Sequence, residues 1–327
     1  MNILFCSVGR RCQLLKNFKK SMGNNSNIIA TDMSNTAPAI YCADKYFIVP
    51  SIDNEEYVDT ILSICKQENI NVITTLIDPE IRILAKNRKK FEKIGVLVLA
   101  PDIETAEIFF DKYRTYTELT KLGINTVKTY ENIDSFTLAL NNKEINFPVF
   151  VKPRSGSGSV GAKKINNLEE LRKSYIEDET LIIQEYMGDF TDIDCDVYID
   201  TISNNVVSMF SKRKLETKIG GASKTISFKD EKLYEFIEES LKHFKFNGPI
   251  DVDLWYKDGE YYLSEINPRF GGAYLHAYGA GVDFIKMIEN NVNKIENQKC
   301  DLEYDEDIVM MMYDSVIIRK IQNDRLL

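Results

Sequence analysis

The stretch FPVFVKPRSGSGSVG, residues 147–161, joins an apolar segment to a turn that is rich in glycine and serine. Phe147–Pro153 is typical of a strand, and a proline near each end suits the start or edge of a sheet. The turn that follows can wrap an anion with its backbone N–H groups, because glycine leaves no Cβ in the way. A plain flexible hairpin explains the same residues, but Lys152 at the end of the strand favours a phosphate site.

A second group of polar residues lies on a predicted hairpin that turns around Lys257–Gly259. Asp253 is on its first strand, and Glu265, Asn267 and Arg269 follow at the end of the second. Carboxylate and amide oxygens are hard ligands that suit a Mg²⁺ ion carrying nucleotide phosphates, and Arg269 adds a fixed planar charge beside them. A solvated face with a salt bridge is the alternative, which the apolar neighbours of these residues disfavour.

Asp253 and Glu265 can share a metal only if they lie on one face of this hairpin. A two-residue turn at Asp258-Gly259 would place them on opposite faces, because the side alternates at each pair of a regular ladder. A three-residue loop that begins at Lys257 would place them on the same face. We therefore predict a bulged three-residue loop with Gly259 in the left-handed conformation.

Three motifs occur in order along the chain, namely Lys152-Pro153 with its glycine- and serine-rich loop, Gln184–Met187, and Glu265–Arg269. In this order and at these spacings they resemble the successive motifs of the ATP-grasp superfamily, most of all its biotin carboxylase and carbamoyl phosphate synthetase branch. The spacing from Asp253 to Glu265 is similar to that of the biotin carboxylase hairpin. The likeness covers about residues 111–281.

The resemblance implies an ATP site between two α+β subdomains. The nucleotide-binding residues that it implies are Lys112, Lys152, Ser155, Gly156, Ser157, Gly158, Gly161, Glu185, Tyr186, Met187 and Asp192. The two lysines would contact phosphates, and residues 185–187 would read adenine from the strand that links the subdomains. Asp192 stands where family members usually carry a glutamate for the ribose hydroxyls.

The same resemblance implies Mg²⁺, with Mn²⁺ as a substitute, held by Asp253, Glu265 and Asn267. Family members more often carry Glu or Gln where this chain has Asp253, so that contact could run through water. Arg269 resembles the arginine that steadies a transferred phosphoryl group, and Lys152 is expected to share the catalytic role. Phosphoryl transfer to a carboxylate needs positioning and neutralisation of charge more than a covalent enzyme nucleophile.

The first hundred residues alternate short apolar runs with segments of helical spacing, which predicts a parallel α/β sheet. The expected fold is α/β plus α+β, with a parallel α/β pre-ATP-grasp domain at the N-terminus followed by a two-subdomain ATP-grasp fold. The expected domains are residues 1–110, a small lid subdomain at 111–190 that carries the glycine-rich loop, and a C-terminal subdomain at 191–327 that carries the metal site. Asp32 and Asp78 follow predicted strands and are interpreted as helix caps.

The composition of the chain argues against several classes of function. The 327 residues carry 41 basic and 50 acidic side chains, a formal net charge of −9, which argues against nucleic acid or an acidic membrane surface as a partner. No apolar stretch approaches the roughly 18 residues of a membrane-spanning helix. Six cysteines without the two-residue spacing of a zinc motif, and only two histidines, disfavour zinc or triad chemistry. Arg10-Arg11 follow the first apolar run, unlike the charge of a secretory signal, so a cytoplasmic protein is expected.

These observations favour an ATP-dependent ligase that joins a small carboxylate to an amine or thiol through an acyl phosphate, releasing ADP and phosphate. A carbamate or carboxylate kinase resembling one half of carbamoyl phosphate synthetase, or a non-catalytic ATP-binding regulatory protein, are the alternatives. Arg213 follows an apolar strand and is predicted to be a catalytic residue that binds the acid or the acyl phosphate. Further candidates for the substrate pocket are Lys218, Gly220-Gly221, Gly271-Gly272 and His276. A homodimer is the candidate assembly.

Overall fold

The computed structural model describes residues 1–23, 26–156, 161–218, 221–300 and 303–320. Within these ranges the chain forms a parallel sheet followed by two antiparallel sheets. No helix in these ranges is both long and apolar enough to cross a membrane.

The N-terminal sheet has five parallel strands in the order β3-β2-β1-β4-β5. The strands are β1 (Asn2–Cys6), β2 (Asn27–Asp32), β3 (Lys45–Ile48), β4 (Val72–Thr75) and β5 (Leu97–Val98). The helices of this unit are α1 (Cys12–Ser21), α2 (Tyr57–Gln67), α3 (Asp78–Glu92) and α4 (Ile103–Phe110), with a short 3-10 helix at Pro38–Cys42. The predicted parallel α/β sheet is confirmed.

Both faces of this sheet are covered by apolar side chains. Ile3 and Phe5 of β1 pack with α1, whereas the alternate residues Leu4 and Cys6 pack in a separate cluster with α2 and α3. Burial on both faces explains why the strands are nearly continuous apolar runs. The carboxyl ends of the strands are left to carry the polar residues of the unit.

The first antiparallel sheet is small and has the order β6-β9-β7-β8. Its strands are β6 (Thr129–Tyr130), β7 (Val149–Pro153), β8 (Lys163–Ile165) and β9 (Leu181–Glu185), and the nearby helices are α5 (Lys112–Lys121), α6 (Ile133–Asn141) and α7 (Leu168–Glu177). Phe136, Val151 and Leu171 lie in its apolar core. Val149 and Val151 are buried, so the end of β7 that carries Lys152 is anchored in the core of this sheet.

The second antiparallel sheet has six strands in the order β14-β13-β10-β11-β12-β15. They are β10 (Thr191–Ile199), β11 (Val206–Lys218), β12 (Gly221–Phe228), β13 (Gly248–Lys257), β14 (Glu260–Asn267) and β15 (Val309–Met311). The helices are α8 (Glu231–Leu241), α9 (Tyr274–Gly279) and α10 (Phe284–Val292). Cys195, Val252 and Leu233 belong to the apolar cluster on one face, and the opposite face carries the charged residues described below.

The hairpin of β13 and β14 differs from the prediction. Lys257 pairs with Glu260, so the turn has two residues, Asp258 at φ 52° and Gly259 at φ 88°. The predicted three-residue loop is therefore wrong. The extra residue lies further along, at a register shift that pairs Leu254 with Leu263 but Asp253 with Glu265. This bulge, rather than the turn, puts the two carboxylates on one face.

Candidate active site

One face of the large antiparallel sheet carries a row of carboxylates, which we call the acidic face; it consists of Asp192, Asp194, Asp196, Asp251 and Asp253. Alternate residues of a strand share a face, and the register pairs Asp194 with Asp253 and Asp196 with Asp251. The neighbouring strand β14 extends the row, because Glu265 pairs with Asp253 and Asn267 pairs with Asp251. The predicted metal ligands thus lie side by side on two adjacent strands.

Two lysines of β11 neutralise part of this charge. The Nζ of Lys212, which is fully buried, lies 2.8 Å from Asp194 Oδ1 and 2.5 Å from Asp196 Oδ2. The Nζ of Lys214 lies 3.1 Å from Asp192 Oδ1 and 2.5 Å from Asp253 Oδ1. Burial opposes the charge of each lysine, but the carboxylates outweigh it, so the pKa of both lysines is raised.

Three carboxylates of the acidic face, those of Asp194, Asp196 and Asp251, are buried close to one another. Burial raises the pKa of Asp196 to about 6, against the attraction of Lys212, and it also raises the pKa values of Asp194 and Asp251. Oxygens of these three residues lie within 4.8 Å of one another. Lys212 already supplies a cation between two of them, so we assign no metal ion to this group.

The raised pKa of Asp196 predicts a pH dependence of stability. The ordinary pKa is 3.8, so between pH 3.8 and about 6 the folded state holds a proton that the unfolded state lacks. This contribution to stability is complete below pH 3.8 and is lost as the pH rises through 6. We expect Asp196→Asn to gain on the order of 1–3 kcal/mol relative to the parent between pH 4 and pH 7.

Urea unfolding at pH 4, 5, 6 and 7 measures this difference. Asp44→Asn is the matched control, because burial of Asp44 is outweighed by the Ile28 amide and Lys19, so its pKa is lowered. A lowered pKa contributes stability that is complete above the ordinary pKa of 3.8, so the difference between Asp44→Asn and the parent should stay nearly constant from pH 5 to pH 7. A difference between Asp196→Asn and the parent that stays constant with pH would contradict the prediction.

Two lysines and Glu265 meet at the mouth of the cleft between the antiparallel sheets. Burial lowers the pKa of Lys152 to about 8, while Glu265 favours its charge. Lys112 Nζ lies 3.7 Å from Glu265 Oε1 and donates to the Gly156 carbonyl at 2.5 Å. Lys112, Gly156, Glu265 and Asn267 line one cavity. These residues are arranged as a site for an anion and a cation together.

The segment after β9 is held against the large sheet. Lys257 Nζ donates to the Met187 carbonyl, and Lys164 Nζ lies 4.0 Å from the centre of the Tyr186 ring. Glu185 donates its backbone N–H to the Lys128 carbonyl at 2.9 Å. The three residues predicted to contact adenine therefore form the crossing between the two antiparallel sheets.

The glycine-rich loop is described only in part. Ser155, Gly156 and Gly161 lie at its two ends, and φ is 105° at Gly156 and 76° at Gly161. Ser157 and Gly158 lie outside the described residues. Left-handed φ values explain why glycine stands at both ends of this loop.

Arg269 is tied to the N-terminal unit. Its Nε donates to Asp78 Oδ1 at 2.8 Å, and its Nη1 lies 3.3 Å from Asp251 Oδ2. The interpretation of Asp78 as a helix cap is wrong, because α3 has no side-chain cap and the carboxylate binds Arg269 instead. Asp32 likewise caps no helix and accepts the backbone N–H groups of Gly9 and Ser34.

Arg213 does not join this group. It pairs with Ile193, whose side chain lies on the apolar face, and its guanidinium lies 4.2 Å from the centre of the ring of Phe228, a buried member of the apolar cluster on that face. The side of each residue follows from the strand alternation, which points Lys212 and Lys214 into the acidic face and Arg213 away from it. The structure thus gives no support to Arg213 as a catalytic residue.

The other pocket candidates are scattered. Lys218 is exposed, 3.6 Å from Glu216, and Gly220 lies outside the described residues. His276 is buried, bonds Thr225 Oγ1 through Nδ1 at 2.7 Å, and burial lowers its pKa to about 4. It is therefore neutral at physiological pH, and only Gly271-Gly272 lies against the acidic face.

Gly271 admits no side chain. A Cβ there would stand 2.6 Å from Asp251 Oδ1 and 3.0 Å from Asp196 Oδ1, and neither oxygen accepts a hydrogen bond from a described residue. We expect Gly271→Ala to lower the free energy of unfolding by about 1–3 kcal/mol, because buried carboxylates cannot move aside freely. Thermal unfolding measures the loss.

Gly279→Ala is the control for this substitution. Gly279 ends α9, and nothing lies within 4 Å of the place where its Cβ would stand. Alanine at such a position should be neutral or stabilise by up to about 1 kcal/mol. Equal melting temperatures for the two alanine variants would show that the acidic face yields to the added methyl group.

Several site residues escaped the sequence analysis. Asp194, Asp196, Lys212, Lys214 and Asp251 were not predicted, although each stands two residues from another charged residue on a strand. Charged residues at alternate positions of an otherwise apolar strand are the signal that could have found them. Arg11 carries no comparable signal, because its partners are backbone carbonyls far along the chain.

The sequence of this chain is similar to those of known protein families and of individual enzymes. A family model described as PylC-like, N-terminal domain, matches residues 3–99, and one described as ATP-grasp domain matches residues 109–273. The chain is 30% identical to the coenzyme gamma-F420-2:alpha-L-glutamate ligase of Methanococcus maripaludis over 210 residues. The aligned region covers 60% of this chain and 70% of the relative. It is 25% identical over 291 residues to a formate-dependent phosphoribosylglycinamide formyltransferase of Prochlorococcus marinus, covering 82% and 68%.

Solved structures share the fold. The N5-carboxyaminoimidazole synthetase of Staphylococcus aureus in complex with ADP superposes with a TM-score of 0.75 at 17% identity, over 93% of this chain and 79% of that one. The biotin carboxylase domain of the Hydrogenobacter thermophilus 2-oxoglutarate carboxylase, in complex with MgADP, gives 0.73 at 17% identity, over 94% and 72%. The ATP-grasp family model alone spans half of the sequence, and the chain belongs to the ATP-grasp superfamily.

Proposed function

We propose that this protein is an ATP-dependent carboxylate–amine ligase, with a thiol as the alternative acceptor, which works through an acyl phosphate and releases ADP and phosphate. The observation that carries the proposal is the meeting of Lys112 and Lys152 with Glu265, Asn267 and Asp253 in one cleft. Cations for phosphates and hard oxygen ligands for a metal are thus within reach of the same substrate.

The nucleotide would lie along the cleft between the antiparallel sheets. Lys112 and Lys152 would contact its phosphates, together with the backbone at Ser155, Gly156 and Gly161 and at residues 157–158 of the same loop. Glu185, Tyr186 and Met187 would bind adenine, and Asp192 the ribose. In the free protein Asp192 contacts Lys214.

Mg²⁺ fits the residues at the end of the hairpin, and Mn²⁺ is a substitute. Glu265 and Asp253 are directly paired, half-buried and on one face, with Asn267 two residues on. Two carboxylates at such a pairing repel each other unless cations lie beside them. Lys214 contacts Asp253, and Lys112 lies 3.7 Å from Glu265, so each carboxylate has a lysine of its own and a metal ion would bridge the pair. A bound magnesium ion would neutralise the charge of the nucleotide phosphates during transfer.

The protein's own residues would do the remaining work. A carboxylate substrate attacks the terminal phosphate, and the resulting acyl phosphate is then open to attack by the acceptor. Lys152 neutralises the phosphates, and Arg269, charged and partly buried, would stabilise the transferred group. The lysines, the carboxylates and Arg269 are all in place, which argues against a non-catalytic regulatory protein, and no described residue favours the carbamate kinase over the ligase.

The carboxylate and the acceptor can be found by a screen for ADP and phosphate release. The protein is mixed with MgATP and small carboxylic acids, each offered with amines, amino acids and thiols, and hydroxylamine traps an acyl phosphate as a hydroxamate. We propose small molecules as the substrates, a homodimer as the assembly and the cytoplasm as the location. Gel filtration with light scattering measures the assembly state.

Glu265→Gln tests the metal site within this screen. We expect turnover to fall at least about 100-fold, since even outer partners of metal ligands contribute 10- to 100-fold. Glu260→Gln, at the exposed start of the same strand, is the control and should keep the parent's rate. Release of AMP in place of ADP would overturn the proposed chemistry. Full activity of Glu265→Gln would overturn the proposed metal site.

A further inference from the structure

Two residues of the N-terminal unit, Asp78 and Arg11, form hydrogen bonds with the segment that follows β14. We propose that Asp78 and Arg11 are positioning residues for Arg269, so that the parallel-sheet unit takes part in catalysis by fixing the arginine that contacts the acyl phosphate. The inference rests on the proposed function, since it gives Arg269 that role. It adds that a helix residue of the N-terminal parallel-sheet unit, 191 positions away in sequence, sets the orientation of this side chain.

The guanidinium of Arg269 is almost fully engaged. Its Nε and Nη2 donate to the two oxygens of Asp78, at 2.8 and 3.3 Å, and its Nη1 donates to Asp251 Oδ2 at 3.3 Å and to the Phe270 carbonyl at 3.1 Å. An arginine has five N–H donors, and these four bonds leave one on Nη2. The two-pronged contact with Asp78 fixes the plane of the guanidinium, and therefore the direction of that remaining donor.

Asp78 is itself held rigidly. It is the first residue of α3, and two residues later Glu80, fully buried, accepts hydrogen bonds from Tyr57 and from Thr75 Oγ1. These bonds tie the first turn of α3 to α2 and to the end of β4. The carboxylate of Asp78 is thus presented by a preorganised turn rather than by a free loop.

Arg11 holds the backbone on the other side of Arg269. Its Nη1 donates to the Gly271 carbonyl at 3.1 Å and its Nη2 to the Phe270 carbonyl at 2.6 Å. Burial, followed by the charge of Arg269, lowers the pKa of Arg11 to about 10, so it stays charged at neutral pH. The side chain of Arg269 and the backbone just after it are therefore both anchored to the parallel-sheet unit.

Asp78 also lies at the candidate site, since it lines the same cavity as Glu265 and Asn267. An ion pair that served only to join two sheets would not need to stand there. A purely structural pair would affect stability alone. A positioning residue instead affects the acyl phosphate contact and loses its effect when Arg269 is absent.

The test measures binding of acetyl phosphate, used as an acyl phosphate probe, to the full chain in the presence of MgADP. Trp255, the only tryptophan of the chain, pairs with Asp192 and lies 4.6 Å from the Phe190 ring, so its fluorescence serves to follow nucleotide binding separately. The variants are Asp78→Asn, Asp78→Glu, Arg269→Ala and the double variant. Asp32→Asn is the matched control, because Asp32 also lies at the carboxyl end of a strand of the parallel sheet but accepts only backbone N–H groups.

We expect Asp78→Asn to weaken acetyl phosphate binding at least about tenfold while MgADP affinity stays close to the parent's, and Asp78→Glu to recover part of the loss. In the Arg269→Ala background the same change should cost less than about twofold, since the two residues act as a unit. The control should bind both ligands like the parent. Once a substrate pair is known, kcat should fall in parallel while KM for ATP stays constant.

Equal costs of Asp78→Asn with and without Arg269 would overturn the inference, as would parent-like binding by Asp78→Asn. A fold-loss of MgADP affinity as large as that of acetyl phosphate affinity would mean that Asp78→Asn disturbs the whole cleft, and would make the pair merely structural. If the parent binds MgADP but no acetyl phosphate, the acyl phosphate function fails, and the role of Arg269 fails with it. Binding by the parent with unchanged binding by Asp78→Asn refutes the positioning role alone.

Discussion

Replacing Lys152 with alanine is expected to weaken ATP binding by about 10- to 100-fold and to abolish turnover. A charge-assisted hydrogen bond to a buried group contributes about 1.5–3 kcal/mol. Arg154, the next cation after β7, is engaged in ion pairs with Asp111 and Glu131. Burial lowers the pKa of Lys152 to about 8. A phosphate bound beside the lysine would favour its charged form and raise this pKa towards the ordinary value. Titration calorimetry with MgATP measures the affinity, and ADP release measures the rate.

Lys163→Ala is the matched control for this variant. Lys163 lies on β8 of the same sheet, but it is exposed and only 3.4 Å from Glu177 in a surface ion pair. Removing it should leave ATP affinity within about twofold of the parent, because exposed pairs contribute little. An affinity for MgATP that Lys152→Ala shares with Lys163→Ala would refute the assignment of Lys152 to the phosphates.

Replacing Lys212 with alanine is expected to lower the free energy of unfolding by about 3–5 kcal/mol. Its Nζ lies within 2.8 Å of carboxylate oxygens of both Asp194 and Asp196, and all three side chains are at most 5% exposed. Without the lysine, two carboxylates remain buried beside each other with no cation between them. Urea unfolding at neutral pH measures the loss.

The comparison variant is Lys242→Ala, which removes an exposed lysine from an ion pair with Glu239 and should cost less than about 1 kcal/mol. Adding Asp194→Asn and Asp196→Asn to Lys212→Met should recover most of the stability, because the uncompensated charges are then gone. A loss for Lys212→Ala no larger than that for Lys242→Ala would mean that water reaches the acidic face and solvates these carboxylates.

The parallel sheet could be predicted from the sequence because the strands of this sheet are buried on both faces. A strand such as Ile28–Ala30 is an unbroken apolar run, and the helices between such strands show a helical period. The order of the three sheets likewise follows from local signals read one after another along the chain. Neither inference depends on which residues meet across the fold.

The parts that could not be predicted depend on register or on distant contacts. The bulge in β14 has no local signal, and it decides on which face Glu265 lies. Arg213 and Lys212 are neighbours in sequence, yet the strand puts them on opposite faces of the sheet. The bond from Arg269 to Asp78 joins residues whose closeness only the packed structure reveals.

The burial of Lys212 has a consequence for the response of the protein to ionic strength. Dissolved ions weaken attraction between exposed charges beyond about 8–10 Å at physiological salt, but they cannot enter a site from which solvent is excluded. The surface of this chain, with its net charge of −9, will change its effective potential as salt is added. The interactions among Lys212, Asp194 and Asp196 will not, because these side chains lie beneath the surface. The local electrostatic potential at this buried group is therefore set by the fold rather than by the salt concentration of the solvent.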